Sequence, residues 1–165
     1  MAARTLGPRE AEIAIYAFKE GVLAAAAHDV KLRVGAFTLV VDDDAGTIEA
    51  DVGAASLSVV CAMQGGREAP GVLGASARAD LERNVRDDVL HSKRHPRVTF
   101  SGRATGDALV GTLTLHGVSR EVWWARRGDA AEVELDQRDF GLVPYTALFG
   151  TLRVKPRVRI VVTLT

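Results

Sequence analysis

Thr151-Leu152-Arg153-Val154-Lys155-Pro156-Arg157-Val158-Arg159-Ile160-Val161-Val162-Thr163-Leu164 sorts its side chains by parity. Leu152, Val154, Val158, Ile160, Val162 and Leu164 share one face, and Thr151, Arg153, Lys155, Arg157 and Arg159 take the other. Successive side chains on a strand point to opposite sides, so this is a strand with one dry face and one wet face. Pro156 has no N–H to give to a ladder and marks a bulge or a locally unpaired edge. The row of cations reads as the outside of a sheet, where charge also discourages edge-to-edge pairing.

The same period recurs upstream. In Glu12–Lys19, Ile13, Ile15 and Ala17 fall on one side, with Tyr16 and Phe18 on the other. Val30, Leu32 and Val34 alternate with Lys31 and Arg33. After Gly35 the parity slips to Phe37, Leu39 and Val41, which predicts a bulge there. Asp42–Gly46 is a turn, followed by Ile48, Ala50 and Val52 and then by Leu57 and Val59. Val98 and Phe100, the set Leu109, Gly111, Leu113 and Leu115, then Val122 and Trp124, and finally Val133 and Leu135 continue the pattern. About eight such segments divided by turn residues describe an all-β barrel or sandwich.

One stretch keeps a different period. Leu81, Val85, Val89 and Leu90 recur at helical spacing within Arg78–His91, with Glu82 four residues before Arg86 and with Ser76 or Asp80 as the expected cap. Pro96 disfavours helical geometry at His95 and should end the helix before it. A second short helix is expected over Val22–Ala27. The Gly- and Ala-rich stretch Met63–Ala77 is the longest expected loop and the best candidate for a lid.

A chain of 165 residues is sized for one domain over 1–165, with residues 1–10 expected to be disordered. Lys plus Arg and Asp plus Glu both number 21, so net charge says nothing about nucleic acid, while aromatics at 5% argue against a base-stacking surface and no nucleic-acid partner is expected. Cys61 is the single cysteine and reads as a buried, inert thiol. Met1–Glu10 carries no apolar signal core, and the run Val22–Ala27 is far short of the roughly 18 residues of a membrane span, so a cytoplasmic location is expected.

Signals for chemistry are sparse. His91 and His95 stand i,i+4, yet the glutamate of a zinc-protease motif is missing and a zinc site needs more ligands. His28 and Asp29 are neighbours, and neighbours on a strand point apart, so a structural hydrogen bond is the better reading. His116 ends the segment Leu109–Leu115 and should lie at a rim. Gly65-Gly66 lacks the Lys and Ser/Thr of a phosphate loop. No catalytic residue, metal or cofactor is expected. What remains is a set of small or medium inward positions, Ala17, Val34, Ala50, Val59 and Gly111, which leaves space for an apolar cavity.

A group of motifs in fixed order carries a family resemblance. Gly111-Thr112-Leu113-Thr114-Leu115-His116-Gly117-Val118-Ser119-Arg120-Glu121-Val122 resembles the signature of the YceI-like family. Pro96–Gly102, Arg138-Asp139-Phe140-Gly141, Arg86-Asp87-Asp88-Val89-Leu90, Ala55-Ser56-Leu57, and His28 with Phe37 are similar to its other elements, from about residue 12 onward. The resemblance implies an eight-stranded antiparallel lipocalin-like barrel with one or two short helices and a long isoprenoid threaded inside. It implies no enzymatic residues. The positions expected to touch the ligand are Ile13, Ile15, Val34, Phe37, Leu57, Val85, Leu90, Phe100, Leu113, Leu115, Trp124, Phe140 and Val154.

This chain departs from the family at Ser58-Val59-Val60 and at the short polar run His91–His95, where relatives carry paired aromatics that close the pocket mouth. The expected partner is an isoprenoid or other long-chain lipid or quinone, carried or stored, with transient contact at a membrane surface. Two other readings stay open. One is a dimerising stress-response or structural module without lipid, with Trp123 as an exposed anchor. The other is a haem or metal barrel using His28, His91, His95 or His116.

Overall fold

The computed structural model describes residues 3–21, 28–147 and 150–165. The helix expected over Val22–Ala27 lies outside the described residues. The alternating segments become β1 (Arg4–Leu6), β2 (Ala11–Ala17), β3 (Lys19–Glu20), β4 (Asp29–Val34), β5 (Phe37–Asp42), β6 (Thr47–Gly53), β7 (Leu57–Gln64) and β8 (Arg67–Ala69). After helix α1 (Ala75–Arg83) come β9 (Arg97–Thr105), β10 (Ala108–Leu115), β11 (Val118–Arg127), β12 (Ala130–Asp136), β13 (Thr146–Ala147), β14 (Leu152–Val154) and β15 (Arg157–Leu164).

Twelve of these segments form one curled antiparallel sheet, in the order β1-β5-β6-β9-β10-β11-β12-β15-β2-β4-β7-β8. The sheet has more segments than the eight strands expected because two long strands bend and two short edge strands, β1 and β8, are added at its ends. β4 runs into β5 through Gly35 and Ala36, and β6 runs into β7 through a 3-10 turn at Ala54–Ser56. Bonding continues across the corner, where Gly35 N–H donates to Ser56 O at 2.9 Å and Gly53 N–H to Ala36 O at 3.0 Å. Ala36 N–H donates to Ser56 Oγ at 3.0 Å. β4 pairs β2 and β7, while β5 pairs β6, and β15 pairs β2. With each bent pair taken as one strand, the ladder runs once round a ring of eight and returns to its start. The parity slip after Gly35 is therefore this corner and not a ladder bulge: two residues turn the chain, and Phe37 restarts the inward phase.

The actual bulge lies on β7. Lys31 pairs Cys61 and Leu32 pairs Val59, which leaves Val60 as the extra residue. Arg4–Leu6, within the stretch expected to be disordered, pairs with Leu39–Val41 of β5 and extends that free edge. β8 extends β7 in the same way, and β13, β14 and β3 form a small separate sheet.

α1 starts at Ala75, ahead of the expected Arg78, and its cap is Gly74 with no side-chain bond, so neither Ser76 nor Asp80 caps it. The helix then widens into a π-turn over Asn84–Val89, closed by Leu90 N–H donating to Val85 O at 2.9 Å. Glu82 does not face Arg86. Its Oε1 accepts the Val59 N–H at 2.8 Å, and Arg86 pairs with neighbouring Asp87 at 3.3 Å. Asp29 Oδ1 accepts the Lys19 N–H at 2.9 Å, the structural bond expected near His28.

Two clusters make the core. Phe100, Leu113, Val122, Trp124, Val133, Leu135 and Phe140 form one, and Ala11, Ile13, Val34, Phe37 and Leu39 form the other at the base, beneath β1. The opposite end of the ring carries the π-turn, the β10–β11 turn at His116-Gly117 and a 3-10 turn over Gln137–Phe140. This is the mouth.

Candidate functional site

The ring encloses a cavity of about 260 Å³. Strand parity puts Ile13, Ile15, Val34, Leu57, Leu113 and Leu115 on its wall, with Phe100, Trp124 and Val154. Val85 and Leu90 reach it from the helical segment and Phe140 from the 3-10 turn. The widened π-turn matters here, because it lets Val85, Val89 and Leu90 all face inward within six residues of chain.

Of the residues expected at the ligand, Phe37 is the exception. It packs into the base cluster against Ala11, Ile13, Val34 and Leu39 and does not reach the cavity. Leu39, the next inward residue of β5, belongs to the same cluster but does line the cavity, so of this pair only Phe37 is confined to the base cluster. Two of the small positions expected to leave space also do otherwise. Val59 is packed at 6% exposure outside the cavity lining. Gly111 faces Gly102 across the β9–β10 ladder, and the Phe100 ring lies over both: a Cβ on Gly111 would stand 2.8 Å from Phe100 Cζ, and one on Gly102 2.5 Å from Cε2. The space that the glycines vacate holds an aromatic ring, which meets Trp124 edge-on with centroids 5.8 Å apart. Ala17, Val34 and Ala50 do line the cavity.

Several lining residues escaped the strand-by-strand reading. Leu142 and Tyr145 follow the 3-10 turn in irregular chain, and Gln137 sits within it. No periodicity marks such positions. Gln137 is 8% exposed and clamps the turn to the wall, its Nε2 donating to Lys155 O at 3.2 Å and its backbone N–H to Pro156 O at 2.8 Å. The proline that interrupts β15 thus leaves a carbonyl free for the mouth. Besides the Trp124 indole, Gln137 and Tyr145 stand on the lining, and the surface that the cavity presents is hydrocarbon almost throughout.

Beside the mouth, three imidazoles gather. The His95 and His116 rings have centroids 4.4 Å apart and His91 and His116 5.5 Å apart. His116 Nδ1 lies 3.3 Å from Phe140 O and is the donor when it carries the proton. His91 and His116 adopt left-handed backbone, with φ of 48° and 56°. Burial first, then the facing His95, lowers the pKa of His116 from its usual 6.5, so the ring is neutral at neutral pH. Among the described residues no group of three His, Cys, Asp or Glu side chains is placed to hold a metal ion. No helix among them is long and apolar enough to cross a membrane. Trp123, the expected exposed anchor, is 61% exposed and lies against its own strand, with its indole N–H donating to Glu121 Oε1 at 2.9 Å.

The family model described as YceI-like domain matches residues 14–165. The chain belongs to the YceI-like family. Among solved structures, this YceI-like chain is similar to a polyisoprenoid-binding domain from Saccharophagus degradans implicated in plant cell wall breakdown. The two share 10% identity with a TM-score of 0.51, over 100% of this chain and 99% of that one. At that identity the likeness is one of fold. A comparison with curated proteins returned no match. The YceI-like barrel thus has an enclosed interior walled by apolar side chains.

Proposed function

We propose that this YceI-like barrel binds a long-chain apolar ligand, a polyisoprenoid or an isoprenoid-tailed quinone, and carries or stores it without altering it. The supporting observation is the composition of the cavity wall, which is hydrocarbon almost throughout. A ligand that fits has an apolar tail that runs into the ring, with any polar end left outside that wall. Each methylene taken from water into such a lining gains about 0.8 kcal/mol, so a tail is held without any fixed polar anchor. The source of the ligand in this reading is a membrane surface, which the mouth would meet through Val143, 76% exposed between the lining residues Leu142 and Tyr145.

Organic-solvent extraction of the freshly purified protein, followed by mass spectrometry, tests the reading. A long-chain isoprenoid at near-stoichiometric yield is the expected result. An extract with no apolar molecule above the background of a control protein overturns it.

A further inference from the structure

Three separate pieces of chain rim the mouth, and the histidines join them. Leu90, on the helical segment, lines the cavity, and His91 is the next residue. Leu115 lines it from β10, and His116 is the next residue. Phe140 lines it from the 3-10 turn, and its carbonyl faces His116 Nδ1 at 3.3 Å. His95 completes the stack from the chain that leads into β9. Four residues in left-handed backbone build this junction: His91, His116, Gly117 and Gly141. The two glycines make room for the rings. A Cβ on Gly117 would press to 3.2 Å from His95 Cε1, and one on Gly141 would stand 3.7 Å from His116 Nδ1. Non-glycine residues held in this region persist where the surroundings over-determine them, often at switch regions.

We propose that the stack of His91, His95 and His116 is a proton-operated latch on the cavity mouth, closed when His116 is neutral and released by acid. This rests on the reading of the cavity as a lipid site and adds its control. Closed, the rings pack at tilted angles and Phe140 O accepts the His116 N–H. A proton on His116 places a charge opposite His95, His91 and Arg94, which all disfavour it. On the β11 and 3-10 side the charged groups are already engaged: Arg120 donates to Asp139 O, and Arg138 grips Asp136. Only the Phe140 carbonyl favours the charged ring, and it ranks below burial and His95. Opening returns the ring to water, where an imidazole takes up a proton near its ordinary value. Opening therefore binds a proton, and falling pH favours it.

The test uses the full chain and its His116→Asn variant. Asparagine tolerates left-handed backbone and can still donate to Phe140 O, but it does not titrate. The probe is fluorescently labelled geranylgeraniol, and the readout is its dissociation rate from pH 7.5 to 5.5. The wild type is expected to release the probe several-fold faster at the acid end, while His116→Asn stays level. His95→Phe, which keeps a ring over Gly117, serves if the first variant fails to fold. Equal acceleration in wild type and variant, or none in either, overturns the latch. Amide exchange of residues 91–95 and 116–118 in the unliganded protein separates the two ideas. Acid-enhanced opening that needs His116, with no probe bound at any pH, supports the latch and sinks the lipid reading.

Discussion

The Glu82 carboxylate accepts the Val59 backbone N–H at 2.8 Å, at the point where Val60 bulges out of register and frees that N–H from its ladder partner. The bulge and the helix answer each other: one creates an unpaired donor, the other brings the acceptor. α1 buries none of its own residues, so this bond is a principal tie between it and the wall. Glu82→Ala should lower stability by about 1–3 kcal/mol, because a part-buried donor is left unmet, and Glu82→Gln, which keeps an acceptor, by about 1 kcal/mol. Denaturant unfolding with amide exchange of residues 75–90 measures both. Exchange there should quicken more than elsewhere in the barrel.

The facing pair Gly102 and Gly111 should tolerate no Cβ. At Gly111 it would stand 2.2 Å from Ser101 O and 2.4 Å from Gly102 Cα, both backbone atoms that cannot swing away. Gly111→Ala is expected to cost about 1–3 kcal/mol or more through overpacking, read as a fall in melting temperature. Loss of the edge-on Phe100–Trp124 contact should appear in the near-ultraviolet dichroism of the same variant.

Ala50 and Phe37 separate binding from stability. Ala50 is on the cavity wall, so Ala50→Leu fills space that the ligand needs; lipid recovered from the purified variant should fall sharply while stability holds or rises by about 0.5–2 kcal/mol. Phe37 is outside the cavity lining, packed in the base cluster. Phe37→Leu should lose about 1–2 kcal/mol of stability and leave the bound lipid unchanged. The reverse assignment of effects would mean that the ligand sits lower than the cavity described.

Asp136 gives an acid-range prediction. Arg138 holds its carboxylate with Nε at 3.0 Å and Nη2 at 2.7 Å, and its backbone N–H adds a third bond at 2.9 Å. These bonds lower the Asp136 pKa from 3.8 to about 2. A carboxylate depressed in the folded state contributes stability in full above the unfolded value, and that contribution is lost as pH falls through the folded one. The window runs from about pH 4 down to pH 2. Acid unfolding of Asp136→Asn should be flatter than that of wild type across this window and parallel to it above.

Much of the ring was legible because its inner face is apolar. Parity alone sorted Trp124, 7% exposed, from Trp123, 61% exposed, and put Ile13, Ile15, Leu113 and Leu115 on the inner wall. The failures share one cause: positions set by partners distant in sequence. Nothing local in Leu57–Gln64 reveals that Val60 is extra, since that depends on the register with Lys31 and Leu32. Nothing in Glu82 shows that it faces Val59 and not Arg86. Gln137, Leu142 and Tyr145 belong to irregular chain that follows neither period. The histidine junction was visible as separate letters, His91, His95 and His116, but their meeting depends on the left-handed turns that bring the segments together.

Because β15 pairs on one side with β12 and on the other with β2, the ring shuts only with its last strand. Until Arg157–Leu164 arrives, β2 and β12 are bare edges on either side of an uncovered apolar sheet, open to pairing with any neighbouring chain. During synthesis the apolar sheet therefore stays uncovered until Arg157–Leu164 has emerged, since Ile13 must wait for Val162. Such distant pairing makes for slow folding and for dependence on whatever shields the growing chain. The cations on the outer face of β15 arrive with the closing strand, so they protect the finished barrel and not the unfinished one.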